Sequence, residues 1–238
     1  MRKKLLSVVF TALIAVTADA QWTTVGTADF SAGAAVHTSL AFNSSGEPYV
    51  AYSDEADSNK VTVMKFDGNN WVTVGTPGFS AGYSSRISLA FSNSNEPYVA
   101  YVDGGFPLAT VMKFDGTNWV PVGTPRFSAG YINYISLAFS NSNEPYVAYD
   151  DWMNSIKTTV MKFDGTNWVP VGTPGFSAGR ASDISLKFNS SNEPYVAYSD
   201  FGNSEKTTVM KFDGNNWVTV GSAGFSAGRA EYTSLAFN

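Results

Sequence analysis

The chain has 238 residues, no cysteine, one histidine and a formal net charge of −5. The absence of cysteine excludes disulfides, thiol chemistry and cysteine metal sites. Beyond residue 4 no basic run offsets the acidic balance, which argues against nucleic acid and anionic membranes as partners. The plain meaning of the charge is solubility.

In chain order, the first element is a leader. Arg2, Lys3 and Lys4 precede the apolar stretch from Leu5 to Val16, and Ala18-Asp19-Ala20 has the small-residue form of a cleavage site. The apolar stretch is too short for a membrane helix, which needs roughly 20 residues. The sequence therefore predicts a signal peptide over 1–20 and a repeat domain over 21–238. It places the protein outside the cytoplasm, secreted, periplasmic or on the cell surface, with no membrane contact after cleavage.

From Trp22 onward one segment recurs almost word for word. Trp22, Trp71, Trp119, Trp168 and Trp217 mark its starts, at spacings of 49, 48, 49 and 49 residues. A period of this size with several short strands per repeat predicts an all-β fold, a β-propeller of four-stranded antiparallel blades. Within one repeat the strands read as A (Ser88 to Phe91), B (Pro97 to Tyr101), C (Thr110 to Phe114) and D (Trp119 to Gly123). Asp115-Gly116 between C and D is a hairpin signal. Pro121 and Pro170 in strand D place it at the outer edge, because proline cannot donate to a ladder. Small Ala41, Ala90, Ala138 and Ala236 put strand A beside the axis. The recurring Trp of strand D and the Phe of Phe-Ser-Ala-Gly are expected to pack between blades.

The order along the chain is then D, four times ABCD, and A. The first D (Trp22 to Gly26) and the last A (Ser234 to Phe237) are the outer and inner strands of an incomplete fifth blade. The expected reason is a fragment of a longer chain. The alternative is a blade with open edges that pair with another chain.

The repeats differ mainly in two segments, the one after Phe-Ser-Ala-Gly and the one joining B to C. Antiparallel order puts both on one face of the disc, and loops on a rigid scaffold are where binding surfaces are built. Aromatic and arginine side chains dominate there, as they do at binding hot spots. Loops drifting without constraint would carry small polar residues more often. The candidate ligand-binding residues are Tyr83, Arg86, Tyr131, Tyr134, Trp152, Arg180, Asp183, Arg229 and Tyr232, with His37 in the same column as Arg86, and with Phe106 and Phe201 as further aromatics. Asp54, Asp103, Asp151 and Asp200 end strand B on this face. Their expected task is to hydrogen-bond loop backbone, and a ring of carboxylates holding a cation is the alternative. No cofactor or metal is called for.

In blade length and order the chain, from Trp22 to Asn238, resembles the five-bladed tachylectin-2-type lectins, whose chain also ends on an inner strand. That family's sugar-binding residues are not recognisable here. It repeats nearly identical sugar sites, whereas the variable positions of this chain differ in every blade. The near-identical repeats also look like recently amplified propellers of secreted bacterial proteins, a resemblance that implies export and a binding scaffold. The expected function is a non-catalytic extracellular module that binds a glycan or a protein through the variable face. The alternatives are a structural repeat spacer or surface element, and a glycoside hydrolase. A hydrolase would need paired carboxylates flanking a cleft, and Asp183 and Glu231 are the only acids in the first variable segment. A catalytic triad would have to use His37 and has no nucleophile motif around it.

Overall fold

The computed structural model describes residues 22–237. The predicted signal peptide lies outside the described residues. Sixteen strands form four antiparallel sheets of four. The first holds β1 (Ala35–Phe42), β2 (Pro48–Asp54), β3 (Lys60–Phe66) and β4 (Trp71–Thr73). The second holds β5 (Ser84–Phe91), β6 (Pro97–Asp103), β7 (Leu108–Phe114) and β8 (Trp119–Pro121). The third holds β9 (Ile135–Phe139), β10 (Pro145–Asp151), β11 (Lys157–Phe163) and β12 (Trp168–Pro170). The fourth holds β13 (Ala181–Phe188), β14 (Pro194–Asp200), β15 (Lys206–Phe212) and β16 (Trp217–Thr219). In each sheet the strands lie in sequence order, so these are the four blades of a propeller-like fold.

The first strand of each sheet contacts the first strand of the next, so strand A is innermost. One hydrogen bond recurs between them. Leu89, Leu137 and Leu186 each donate their N–H to a serine of the preceding inner strand, Ser39, Ser88 and Ser136, at 3.0 Å. Strand D is outermost and pairs only with C. Pro121 and Pro170 therefore cost no ladder bond to a further strand.

The core lies between sheets. Val102, Ala109 and Val111 of the second sheet meet Ile135, Leu137, Val147 and Trp168 of the third, and the other junctions repeat this set. As expected, the Phe of Phe-Ser-Ala-Gly stacks on the Trp of the following blade: Phe79 on Trp119, Phe127 on Trp168 and Phe176 on Trp217, with centroids 4.4–4.5 Å apart. Each of these indoles donates Nε1–H to a valine carbonyl of the preceding blade at 2.7–2.9 Å. Gly172 shows why glycine follows each D strand. Its φ is +71°, and a Cβ there would sit 2.9 Å from Phe212 Cε2.

Two expectations are corrected. Residues 22–26 and 234–237 are not strands, because no neighbouring strand among the described residues offers them a ladder. They still make the contacts of a D and an A strand. Val25 accepts the indole N–H of Trp71, Leu235 donates to Ser185 Oγ, and Phe237 packs on Tyr195. Without further cover Trp22 is 99% exposed, against 8% for Trp168. The second correction concerns strand A. In three blades it begins four residues earlier than expected, inside the variable segment, and carries a β-bulge there.

Candidate binding face

The bulge brings the variable residues to the axis. In the second blade Ser85 pairs with Val102 and Ser88 with Ala100, so Arg86 and Ile87 together oppose one residue, Tyr101. His37 and Asp183 hold the same place in the first and fourth blades. The first bulge residue adopts a left-handed backbone that usually belongs to glycine. Here it is His37, Arg86, Asp183 and, in the last segment, Tyr232, with φ of 51–53°. Holding a side chain in this conformation costs roughly 1–2 kcal/mol per residue, and such strain clusters at functional sites.

The third blade solves the problem differently. Tyr134 has an ordinary backbone, and β9 starts only at Ile135. The carboxylate of Asp150 replaces the missing ladder. Its Oδ1 accepts the N–H groups of Asn133 and Tyr134 at 2.6 and 2.7 Å, and its Oδ2 accepts the Asn133 side-chain amide at 3.1 Å. Asp150 is buried, and burial pushes its carboxyl up to about 6, against the opposing pull of these bonds. The other blades carry Ser53, Val102 and Ser199 at this place. Comparing that column would have singled out Asp150, which the sequence reading missed.

Six of the nine expected residues meet in one cleft of about 260 Å³: Arg86, Tyr134, Arg180, Asp183, Arg229 and Tyr232. Ser182, Phe201, Glu205 and Glu231 also line it. Arg86, Tyr134, Asp183 and Tyr232 line a second cavity of about 450 Å³ as well, walled by the inner strands, so the cleft opens onto the axis. The Arg86 guanidinium lies 4.9 Å from the Tyr134 ring centre, and that of Arg180 4.7 Å from the Phe201 ring. Arg229 bridges Glu205 and Glu231 at 2.5 and 2.9 Å. Ser182 donates its hydroxyl to Asp183 at 3.0 Å. Three guanidinium groups thus face three carboxylates. Burial, then the charge of Asp183, raises the Tyr134 hydroxyl above its ordinary range, and burial followed by the charge of Arg86 lowers His37.

The other three expected residues lie elsewhere on the same face. Tyr83 lies over Gly104, where no Cβ would fit. Tyr131 and Trp152 form an edge-on pair at 6.4 Å, both about half exposed. The Trp152 N–H bonds the Tyr131 carbonyl, a link between the two variable segments that Phe201 and Arg180 also make.

The aspartates that end strand B have the expected loop-holding role. Asp54, Asp151 and Asp200 each accept the N–H two residues on, capping a short 3₁₀ turn. Asp103 instead takes Arg126 in a two-pronged pair, both bonds 3.0 Å. Arg126 stands where three other repeats have Gly78, Gly175 and Gly224 and the first has Asp29, and it keeps their left-handed backbone, with φ of 59°. No group of three or more His, Cys, Asp or Glu placed to hold a metal ion occurs among the described residues. Nor does any helix among them have the length and apolarity to cross a membrane.

No family model and no curated protein matches the chain. Solved structures do match. A triple arginine-to-alanine mutant of AofleA from Arthrobotrys oligospora has a TM-score of 0.60 at 12% identity, over 80% of this chain and 57% of that one. A protein of unknown function from Dyadobacter fermentans has 0.56 at 14%, over 77% and 67%. A polysaccharide lyase of family PL25, an ulvan lyase, has 0.55 at 12%, over 81% and 59%. The chain thus spans between about half and two thirds of the length of these structures, and the likeness is one of fold.

Proposed function

We propose that the chain is a non-catalytic carbohydrate-binding module acting outside the cytoplasm, with its site in the axial cleft of the variable face. The observation that carries this reading is the composition of the cleft. Guanidinium donors and carboxylate acceptors stand in equal number, beside Tyr134, Phe201 and Tyr232. A balanced set of donors and acceptors suits the hydroxyl groups of a neutral sugar, and aromatic rings suit its apolar face. A phosphate would meet three carboxylates, and a cation three arginines. The strained bulge adds support, because the backbone tolerates large side chains there that stability alone disfavours. One structural neighbour is a polysaccharide lyase, which agrees with a glycan ligand without deciding it.

The test is glycan-array binding of the intact protein. Arg180→Ala and Asp183→Asn are each expected to weaken binding at least tenfold, while the Tyr83→Ala, Tyr131→Ala double variant binds like the parent. Equal loss in the double variant would move the site to the rim. Asp183 and Glu231 share the cleft, so the hydrolase alternative is tested on the same proteins. Turnover of a glycoside panel that disappears in Asp183→Asn would make the chain an enzyme.

A further inference from the structure

One position near the end of strand B holds Ser53, Val102, Asp150 and Ser199 in the four blades. In the first and fourth blades the serine has a proton to give. Ser53 Oγ donates to the carbonyl of Asn59 at 2.9 Å, and Ser199 Oγ to that of Glu205 at 3.2 Å, each six residues further on. The residue six beyond Asp150 is Ile156. Its backbone follows the same course, with φ of 61° against 58° for Asn59 and 60° for Glu205. Its N–H bonds the Asp151 carbonyl just as those of Asn59 and Glu205 bond Asp54 and Asp200. A second group beside Asp150 is left over. Thr158 stands opposite it in the ladder, and the side chains of such a pair lie together on one face. Among the described residues, Thr158 Oγ1 is the buried side-chain polar atom without a hydrogen-bond partner.

Asp150 turns instead to Asn133 and Tyr134, and both its oxygens only accept, the pattern of a carboxylate. These bonds fix the backbone that carries the Tyr134 ring, a wall of the axial cleft with the Arg86 guanidinium over it. Protonation makes one oxygen a donor. Facing the Asn133 side-chain amide, that O–H meets another donor, and the two backbone bonds lose the charge that strengthens them. Turned toward β11, it meets the Ile156 carbonyl and the Thr158 hydroxyl. The carboxyl thus has one set of partners for each protonation state, and only the ionised set holds Tyr134. Burial brings its titration up to about 6, so mild acid reaches both states. Few other ionisable groups surround it. Asp151, next in β10, lies on the other side of the sheet, bonded to Met153, Asn154 and Thr159, and Lys157 of β11 stands opposite Asp151. Asp183, Arg86 and Arg180 face Tyr134, and Arg86 faces His37.

We propose that Asp150 is a positioning residue and proton switch for the axial cleft: ionised, it holds Tyr134 and the Arg86 guanidinium over its ring in place, and protonated, it turns to the Ile156 carbonyl as the serines of the first and fourth blades do, and releases them. Its effect on binding rests on the glycan reading of that cleft. The charge change is local, and the element it biases is the Asn133–Tyr134 backbone, which has no ladder of its own. With a midpoint at about 6, about one-tenth of the molecules keep the competent wall one pH unit below it, so the apparent affinity there falls about tenfold.

The first test needs no ligand. Amide signals of the intact protein are followed by NMR as the solution is acidified. Asn133 and Tyr134 are expected to shift together with one midpoint at about 6. Asp150→Ser, which installs the residue of the first and fourth blades, removes that midpoint, while the core amides of Leu137 and Leu186 stay in place and show that the variant folds. Asp150→Asn, which cannot ionise, removes it as well. The second test reads the glycan array at about pH 7 and about pH 5. The parent is expected to bind about tenfold more weakly in acid, and Asp150→Ser to bind weakly and alike at both. Asn133 and Tyr134 signals that stay flat through this range in the parent overturn the proposal and leave the axial site standing. A pH response of binding that persists in Asp150→Ser also overturns it and moves the source to His37. Amides that titrate as expected, with no glycan bound at either pH, support the switch and remove the glycan reading.

Discussion

The two faces of this molecule rest on the same four sheets, yet one repeats its side chains and the other varies them. On the face of the A-to-B and C-to-D turns, neighbouring blades present the same side chains in the same bonds. Asn95, Asn143 and Asn192 each accept an N–H from the turn of the preceding blade. On the opposite face the side chains change from blade to blade, and some of the backbone solutions change with them. His37, Arg86 and Asp183 sit in a strained bulge, Asp150 substitutes for a ladder, and Arg126 stands in for a glycine. The lesson is that a variable loop on a repeat scaffold brings its own compensations, and they are visible as departures from the repeat.

If the repeating part is truly interchangeable, equivalent core substitutions must cost the same. Trp119, Trp168 and Trp217 are equally buried, stack on equivalent phenylalanines and make the same Nε1 bond. Replacing any one by alanine is expected to cost about 3–5 kcal/mol, read as the shift in a urea unfolding curve. The three values should agree within about 1 kcal/mol, the scale of ordinary context dependence. A wider spread would break the equivalence of the junctions.

The private arrangements give the next effects. The Asp150 carboxyl holds its proton more tightly in the folded chain, at about 6, than at its ordinary value of 3.8. Folding therefore takes up a proton between those values. The stability from this group is full below about pH 4 and is lost as pH rises through 6, a fall on the order of 3 kcal/mol. Asp150→Asn keeps an acceptor for the N–H groups of Asn133 and Tyr134 and is expected to flatten this part of the profile. An unchanged profile would remove Asp150 as its source. For Arg126 the effect is smaller. Arg126→Ala leaves the buried Asp103 without its two-pronged partner, and the melting temperature should fall by a few degrees. Arg126→Gly should fall less, because the left-handed backbone suits glycine.

Much of this was legible in the sequence. The Trp spacing, the Asp-Gly turns and the prolines of strand D specify the four complete blades, their hairpins and their strand order, because each reports a local backbone demand. Six of the nine candidate binding residues also meet in one cleft. Tyr83, Tyr131 and Trp152 do not, since residue type says nothing about whether a loop turns a ring toward the axis or across a glycine. The bulge was hidden for a related reason. Glycine is its usual signal, and this chain uses histidine, arginine and aspartate instead.

That substitution yields the smallest effect and the sharpest division between scaffold and site. At an ordinary backbone position glycine is worse than alanine by roughly 0.5–1 kcal/mol, through the entropy of the unfolded chain. At Arg86 the order should invert. Alanine retains the left-handed strain and glycine removes it, so Arg86→Gly is expected to be more stable than Arg86→Ala by about 1 kcal/mol. Tyr134, at the same column but with an ordinary backbone, should show the usual order, with Tyr134→Ala above Tyr134→Gly. Both Arg86 variants remove the guanidinium from the cleft, so both should lose glycan binding alike. A stability order that inverts at Arg86 but not at Tyr134, with binding lost regardless of that order, means the bulge is held for its side chain and not for the fold. The usual order at both positions would mean that the bulge at Arg86 carries no strain.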